Sequence, residues 1–120
     1  MFTLEVLVVD SDTGMRLAVA RALRDHAVEV GDVNGEVRFS VDLAQTAEQA
    51  LDRIDHAPPH ILLLDLNLPG MSGLELLERI AARQLETLVI AVAASPSIEI
   101  AVKATKRGAY DFVAKPFTPD

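Results

Sequence analysis

The chain has 120 residues, half of them hydrophobic and only 4% aromatic, with a formal net charge of −7. That length fits one domain with an aliphatic core, and the acidic balance argues against direct nucleic-acid binding, which needs a basic footprint. Cysteine is absent, which excludes disulfides, thiol catalysis and Cys-ligated zinc; no secretory leader and no bilayer-length apolar run occurs, so the simplest reading is a soluble cytoplasmic domain that does not enter a membrane.

The first apolar run, Val6-Leu7-Val8-Val9, does not alternate with polar residues. Strands covered on both faces read this way, as in a parallel sheet. Met15, Ala18, Val19, Ala22 and Leu23 then recur at the spacing of one helical stripe. Residues 27–36 are more chain than a short helix-to-strand connection needs. Their Asn34-Gly35 stands between the β-favouring runs 28–30 and 37–41, which is a strong hairpin signal. A hairpin extension near residues 28–41, at an edge strand, is therefore expected.

Ala47, Ala50, Leu51 and Ile54 form the next helical stripe, opened by a capping box of Thr46 and Gln49. Ile61-Leu62-Leu63-Leu64 is a second buried strand. Ser72 with Glu75 opens a helix over 73–83. Residues 88–94 form a third apolar run, and the helical pattern 98–107 stops at Gly108, a usual residue after a helix. Asp111-Phe112-Val113-Ala114 is the last strand. Thr118-Pro119-Asp120 has the chemistry of a helix start, a capping Thr followed by Pro. The domain, 1–120, is thus expected to be truncated at the start of its last helix, with the fifth helix missing. A flank of the sheet left bare in this way would favour self-association into a homodimer.

Strand and helix alternate throughout, which gives an α/β fold with helices on both faces of a parallel sheet. The expected architecture is a flavodoxin-like, doubly wound, five-stranded sheet of order 2-1-3-4-5. In such sheets ligands bind at the carboxyl ends of strands, beside the point where strand order reverses. Asp10 and Asp65 end the two strands that flank the reversal, and Lys115 follows the last strand. Two close carboxylates repel unless a cation intervenes. Mg²⁺ is the usual hard cation where phosphate is also bound. Lysine offers phosphate a point charge, and a carboxylate can attack phosphorus. The residues therefore point to a small Mg²⁺ and phosphoryl pocket.

Three stretches carry a family resemblance: Val6-Leu7-Val8-Val9-Asp10; Leu62-Leu63-Leu64-Asp65-Leu66-Asn67-Leu68-Pro69-Gly70-Met71-Ser72-Gly73-Leu74-Glu75; and Gly108-Ala109-Tyr110-Asp111-Phe112-Val113-Ala114-Lys115-Pro116-Phe117. The chain resembles the receiver domains of two-component response regulators. The resemblance implies a regulatory domain rather than an enzyme, with self-phosphorylation and autodephosphorylation as its only chemistry. Asp65 would be the phosphoacceptor, and Asp10, Asp65 and the main-chain carbonyl of Asn67 the Mg²⁺ ligands. Lys115 and Ala94 would bind the phosphoryl group, Asp65 and Lys115 being the catalytic pair, and the Lys115–Pro116 bond would be cis. Ala93 and Phe112 would be the switch positions. The implied partners are a sensor histidine kinase or phosphotransfer protein, and an output domain or partner protein.

The sequence departs from the family pattern at Ser11, where a second acid is usual, and at Ala93, where Ser or Thr is usual. Ser95 lies two residues further on and could share the same side of a strand. Simpler roles stand beside these. Asp12 reads as a helix cap, and Phe112 reads equally as core. His56 and His60 are separated by Pro58-Pro59, which breaks the helix a metal pair would need. Two alternative functions follow: a phosphorylation-independent interaction module, suggested by Ser11 and Ala93, and a haloacid-dehalogenase-type phosphatase, suggested by the spacing of Asp10 and Asp12.

Overall fold

Strands and helices alternate along the described residues, 2–24, 27–29, 36–94 and 97–115, in a computed structural model of the chain. The elements are β1 (Phe2–Val9), α1 (Thr13–Arg24), β2 (Ala27–Glu29), β3 (Glu36–Ala44), α2 (Ala47–His56), β4 (Ile61–Asp65), α3 (Gly73–Ala82), β5 (Leu88–Ala93), α4 (Ile98–Lys106) and β6 (Asp111–Ala114). They form one sheet of order β2-β3-β1-β4-β5-β6. Strands β3, β1, β4, β5 and β6 are mutually parallel. With the hairpin strand set aside, this is the expected five-stranded flavodoxin-like order.

The hairpin extension is present. β2 runs antiparallel to β3 at the sheet edge, with Val28 opposite Val37 and Glu29 opposite Glu36. The Asn34-Gly35 turn itself lies outside the described residues. So do Thr118, Pro119 and Asp120, on which the expectation of a further helix falls.

The apolar runs explain the layers. Leu7 and Val9, Leu62 and Leu64, and Val89, Ala91 and Ala93 alternate onto one face of the sheet. They pack there with Ala50 and Ile54 of α2, Leu76, Leu77 and Ile80 of α3, and Ala104 of α4. Burying each large aliphatic side chain contributes roughly 1.5–3 kcal/mol. No helix among the described residues is long and apolar enough to cross a membrane.

Helix α1 lies against β1 and β3. Its buried face is centred one position away from the expected stripe. Arg16 and Ala20 are buried, Met15, Val19 and Leu23 are half-buried, and Ala18 and Ala22 are exposed. Arg16 is drawn inward by a hydrogen bond to the main-chain carbonyl of Asp10, which a purely apolar pattern does not register.

The caps follow their sequence signals, with one shift. Thr46 Oγ1 accepts from Gln49 N at 3.1 Å, but Gln49 Oε1 accepts from Gln45 N at 2.8 Å, so that box closes one residue earlier than expected. Ser72 Oγ accepts from Glu75 N, and Ser97 Oγ accepts from Ile100 N to start α4. Gly108 takes φ +108° just past α4, a conformation that costs glycine little. Arginine–carboxylate pairs tie α2 to β3 and each later helix to the helix before it: Arg53 with Asp42, Arg83 with Asp55 at 2.7 Å, and Arg107 with Glu78 at 2.5 Å.

Candidate functional site

The sheet register brings two acids to the same level. Val9 of β1 pairs with Leu64 of β4, so Asp10 and Asp65, the next residue in each, sit side by side at adjacent strand ends. Both are 4% exposed. Each carboxylate spends one oxygen on the turn after its own strand. Asp10 Oδ1 accepts from Asp12 N and Asp65 Oδ1 accepts from Asn67 N, both at 2.9 Å. These are Asx turns, in which the side chain bonds the backbone two residues on. They leave each second oxygen facing the crevice.

Lys115 completes the group from β6. Its main-chain N–H continues the ladder to Ala93 O at 2.8 Å. Its ammonium reaches back across β5, with Nζ 2.6 Å from Asp10 Oδ2 and 3.3 Å from Asp65 Oδ2. Burial pulls the Lys115 ammonium toward deprotonation. The hydrogen bond to Asp10 and the charges of Asp65 and Asp10 outweigh it, and together they hold its pKa above the ordinary lysine value. The three side chains singled out from the sequence thus share one pocket.

Asn67 is exposed, and its Oδ1 accepts from Ala94 N at 3.4 Å. Ala93 is 1% exposed and offers only a methyl group. Phe112 is half-buried and packs against the core. Ser11 is exposed. Asp12 Oδ1 accepts from Gly14 N at 2.8 Å and Met15 N at 3.3 Å, so Asp12 caps α1. Ser95 and Pro116 lie outside the described residues. Gly73 packs where a Cβ would stand 2.5 Å from Leu66 Cα and 2.7 Å from Asp65 O. Glycine at that position lets α3 start directly against the strand end that carries Asp65.

Sequence reasoning missed Arg16. It is 5% exposed, and its Nη1 donates to Asp10 O at 2.6 Å while Nη2 donates to Thr13 Oγ1 at 3.0 Å. A charged residue flanked by Met15 and Val19 was the available signal.

The donor set suits a hard cation. Asp10 and Asp65 supply carboxylate oxygens at one pocket, and no group of three or more His, Cys, Asp or Glu side chains placed for a metal occurs among the described residues. Mg²⁺ is commonly held by one or two carboxylates while it keeps several waters, so the pair Asp10 and Asp65 suits it.

A parallel sheet of this order, with paired strand-end acids and a lysine at the switch point, defines a flavodoxin-like α/β protein with an acidic crevice. The response regulator receiver domain family matches residues 6–120. The chain is 36% identical over 118 residues to the nitrogen assimilation regulatory protein NtrX of Azorhizobium caulinodans, covering 97% of this chain and 24% of that protein. It is 33% identical over 117 residues to the chemotaxis protein CheY of Listeria monocytogenes, covering 98% of this chain and 90% of CheY. The crystal structure of NtrX from Brucella abortus superposes with a TM-score of 0.80 at 34% identity, covering 98% of this chain and 25% of that one. The BeF3-activated DrrB receiver domain superposes at 0.80 with 29% identity, covering 99% and 89%. The chain belongs to the response regulator receiver domain family, regulatory modules of two-component signalling. It spans about a quarter of the NtrX relatives and most of CheY.

Proposed function

We propose that this domain is a phosphoacceptor switch in which Asp65 takes a phosphoryl group from the phosphohistidine of a sensor histidine kinase or phosphotransfer protein. The observation that carries this reading is the convergence of Lys115 Nζ on Asp10 Oδ2 and Asp65 Oδ2. Asp65 Oδ2 attacks phosphorus. The P–N bond of the phosphohistidine breaks, the imidazole leaves with the electron pair and takes a proton, and Asp65 becomes an acyl phosphate. Lys115, already held protonated, moves its ammonium from the free carboxylate to the incoming phosphoryl oxygens. The Ala94 N–H, which donates to Asn67 Oδ1, would turn to a second phosphoryl oxygen. Asp10, Asp65 and the carbonyl of Asn67 would hold Mg²⁺, which supplies charge neutralisation to the transferring phosphoryl group.

The added charge at Asp65 would bias a two-state surface and be read by an output domain or partner protein. In autodephosphorylation a water would attack phosphorus, the bond to Asp65 would break, and free Asp65 and inorganic phosphate would return. Ala93 favours a second reading. Its buried methyl can donate no hydrogen bond to a phosphoryl oxygen, so the fold would serve as a docking module that does not read out phosphate.

Incubation with acetyl phosphate and Mg²⁺, followed by intact mass, separates the two. The switch predicts one phosphoryl adduct in the wild type and none in Asp65→Asn. No adduct in the wild type favours the docking module.

A further inference from the structure

Three charged side chains are buried among the described residues: Asp10, Asp65 and Arg16. The function proposed above employs the first two. Burying a guanidinium costs several kcal/mol of hydration, which its hydrogen bonds must offset, so its partners indicate what it is for.

Those partners enclose the turn between β1 and α1. Arg16 donates from Nη1 to Asp10 O at 2.6 Å and from Nη2 to Thr13 Oγ1 at 3.0 Å, and its main-chain N–H donates to Asp12 O at 3.0 Å. The side chain therefore spans the turn from the end of the strand to the first residue of the helix. Asp10 is then held at each polar atom. Its N–H donates to Ala44 O, its carbonyl accepts from Arg16, its Oδ1 accepts from Asp12 N, and its Oδ2 meets Lys115.

This turn offers the crevice little else. Ser11 brings no charge, and Asp12 spends its Oδ1 on the helix N-terminus. Whatever acidic contribution the turn makes to a cation rests on the orientation of Asp10. Lysine at position 16 would keep the charge, but its single nitrogen could not reproduce the planar fork.

We propose that Arg16 is a positioning residue for the cation site. Its forked bonds to Asp10 O and Thr13 Oγ1 fix the turn so that the Asp10 carboxylate faces the pocket. The proposal rests on the reading of Asp10 as a Mg²⁺ ligand.

The test is titration of the full chain with Mg²⁺ alone by calorimetry, together with the ¹³C shift of the Asp10 carbonyl and the phosphorylation rate by acetyl phosphate. Partners that orient metal ligands typically affect affinity by about 10–100-fold. Arg16→Lys is expected to weaken Mg²⁺ binding about 10-fold and to shift the Asp10 carbonyl resonance. The loss should be expressed mainly in metal affinity and less in the rate at saturating Mg²⁺ and donor. Thr13→Ala removes one prong at an exposed position and should weaken Mg²⁺ binding measurably, by less than Arg16→Lys does; it carries the test if Arg16→Lys does not fold. Wild-type Mg²⁺ affinity in a folded Arg16→Lys, or in Thr13→Ala if that is the variant in hand, overturns the proposal, as does a wild type that binds no Mg²⁺. A wild type that binds Mg²⁺ in an Arg16-dependent way but takes up no phosphoryl group overturns the proposed function and leaves the role of Arg16 standing.

Discussion

Replacing Lys115 by Met removes the ammonium that lies between two buried carboxylates while keeping most of the side-chain volume. At an effective dielectric of about 20, charges 2.6 and 3.3 Å apart attract by about 6 and about 5 kcal/mol. Desolvation of the three groups and repulsion between Asp10 and Asp65 offset much of this. Breaking a buried pair typically costs about 3–5 kcal/mol, because a charge is left uncompensated. Since domains of this size are stable by only about 5–15 kcal/mol, Lys115→Met should lower the urea midpoint sharply at pH 7. The cause can be isolated with Asp65→Asn. If repulsion between two unscreened carboxylates is the source of the loss, Lys115→Met/Asp65→Asn should recover at least about half of it, a coupling within the range measured for contacting groups. A Lys115→Met protein within about 1 kcal/mol of wild type, or a double variant no more stable than the single, would refute the electrostatic account of the pocket.

Gly73→Ala forces a Cβ to within 2.5 Å of Leu66 Cα and 2.7 Å of Asp65 O. Both are backbone atoms, so the expected cost is about 1–3 kcal/mol, with shifted Asp65 and Leu66 amide resonances; denaturation and ¹⁵N spectra check both. Asp42 is held below the ordinary carboxylate value of 3.8, first by its hydrogen bond from Arg53. A depressed acid contributes stability that is present above its unfolded value and lost as pH falls through the lower folded value. A melting-temperature series below pH 4 should therefore fall less steeply in Asp42→Asn than in wild type, by a small margin because the pair is largely exposed. Ala93→Ser restores a hydroxyl at a buried strand end. It should tighten binding of the phosphoryl mimic beryllium fluoride with Mg²⁺ about tenfold, the worth of one hydrogen bond to a charged group. Equal titration curves for variant and wild type would show that the hydroxyl does not reach the anion.

Much of this architecture is legible in the chain because its signals are local. Non-alternating runs such as Ile61-Leu62-Leu63-Leu64 mark strands covered on both faces. Asn34-Gly35 between two β-favouring runs announced the pairing of β2 with β3, although that turn lies outside the described residues. Asp10 and Asp65 were legible as strand-end acids because β1 and β4 flank the reversal of strand order. For Arg16 the sequence shows a charged residue on the helix face between Met15 and Val19, but not what it binds. Its partner is a main-chain carbonyl, which every residue possesses, so no spacing of side chains reveals it. The buried face of α1 departs from the stripe through Ala18 and Ala22 for the same reason, because a polar anchor at Arg16 turns the helix and hydrophobic periodicity does not register it. The Asn67–Ala94 contact likewise joins residues 27 apart in sequence, through a backbone donor that composition does not mark.

The most direct test is to locate the phosphoryl group itself. The chain is treated with acetyl phosphate and Mg²⁺, reduced with borohydride to convert any acyl phosphate to a stable alcohol, digested, and mapped by peptide mass. A single modified residue at Asp65, lost in Lys115→Met, is the expected result. Modification at Asp10 or Asp12, or none at all under conditions that label a receiver domain of known activity, would contradict it.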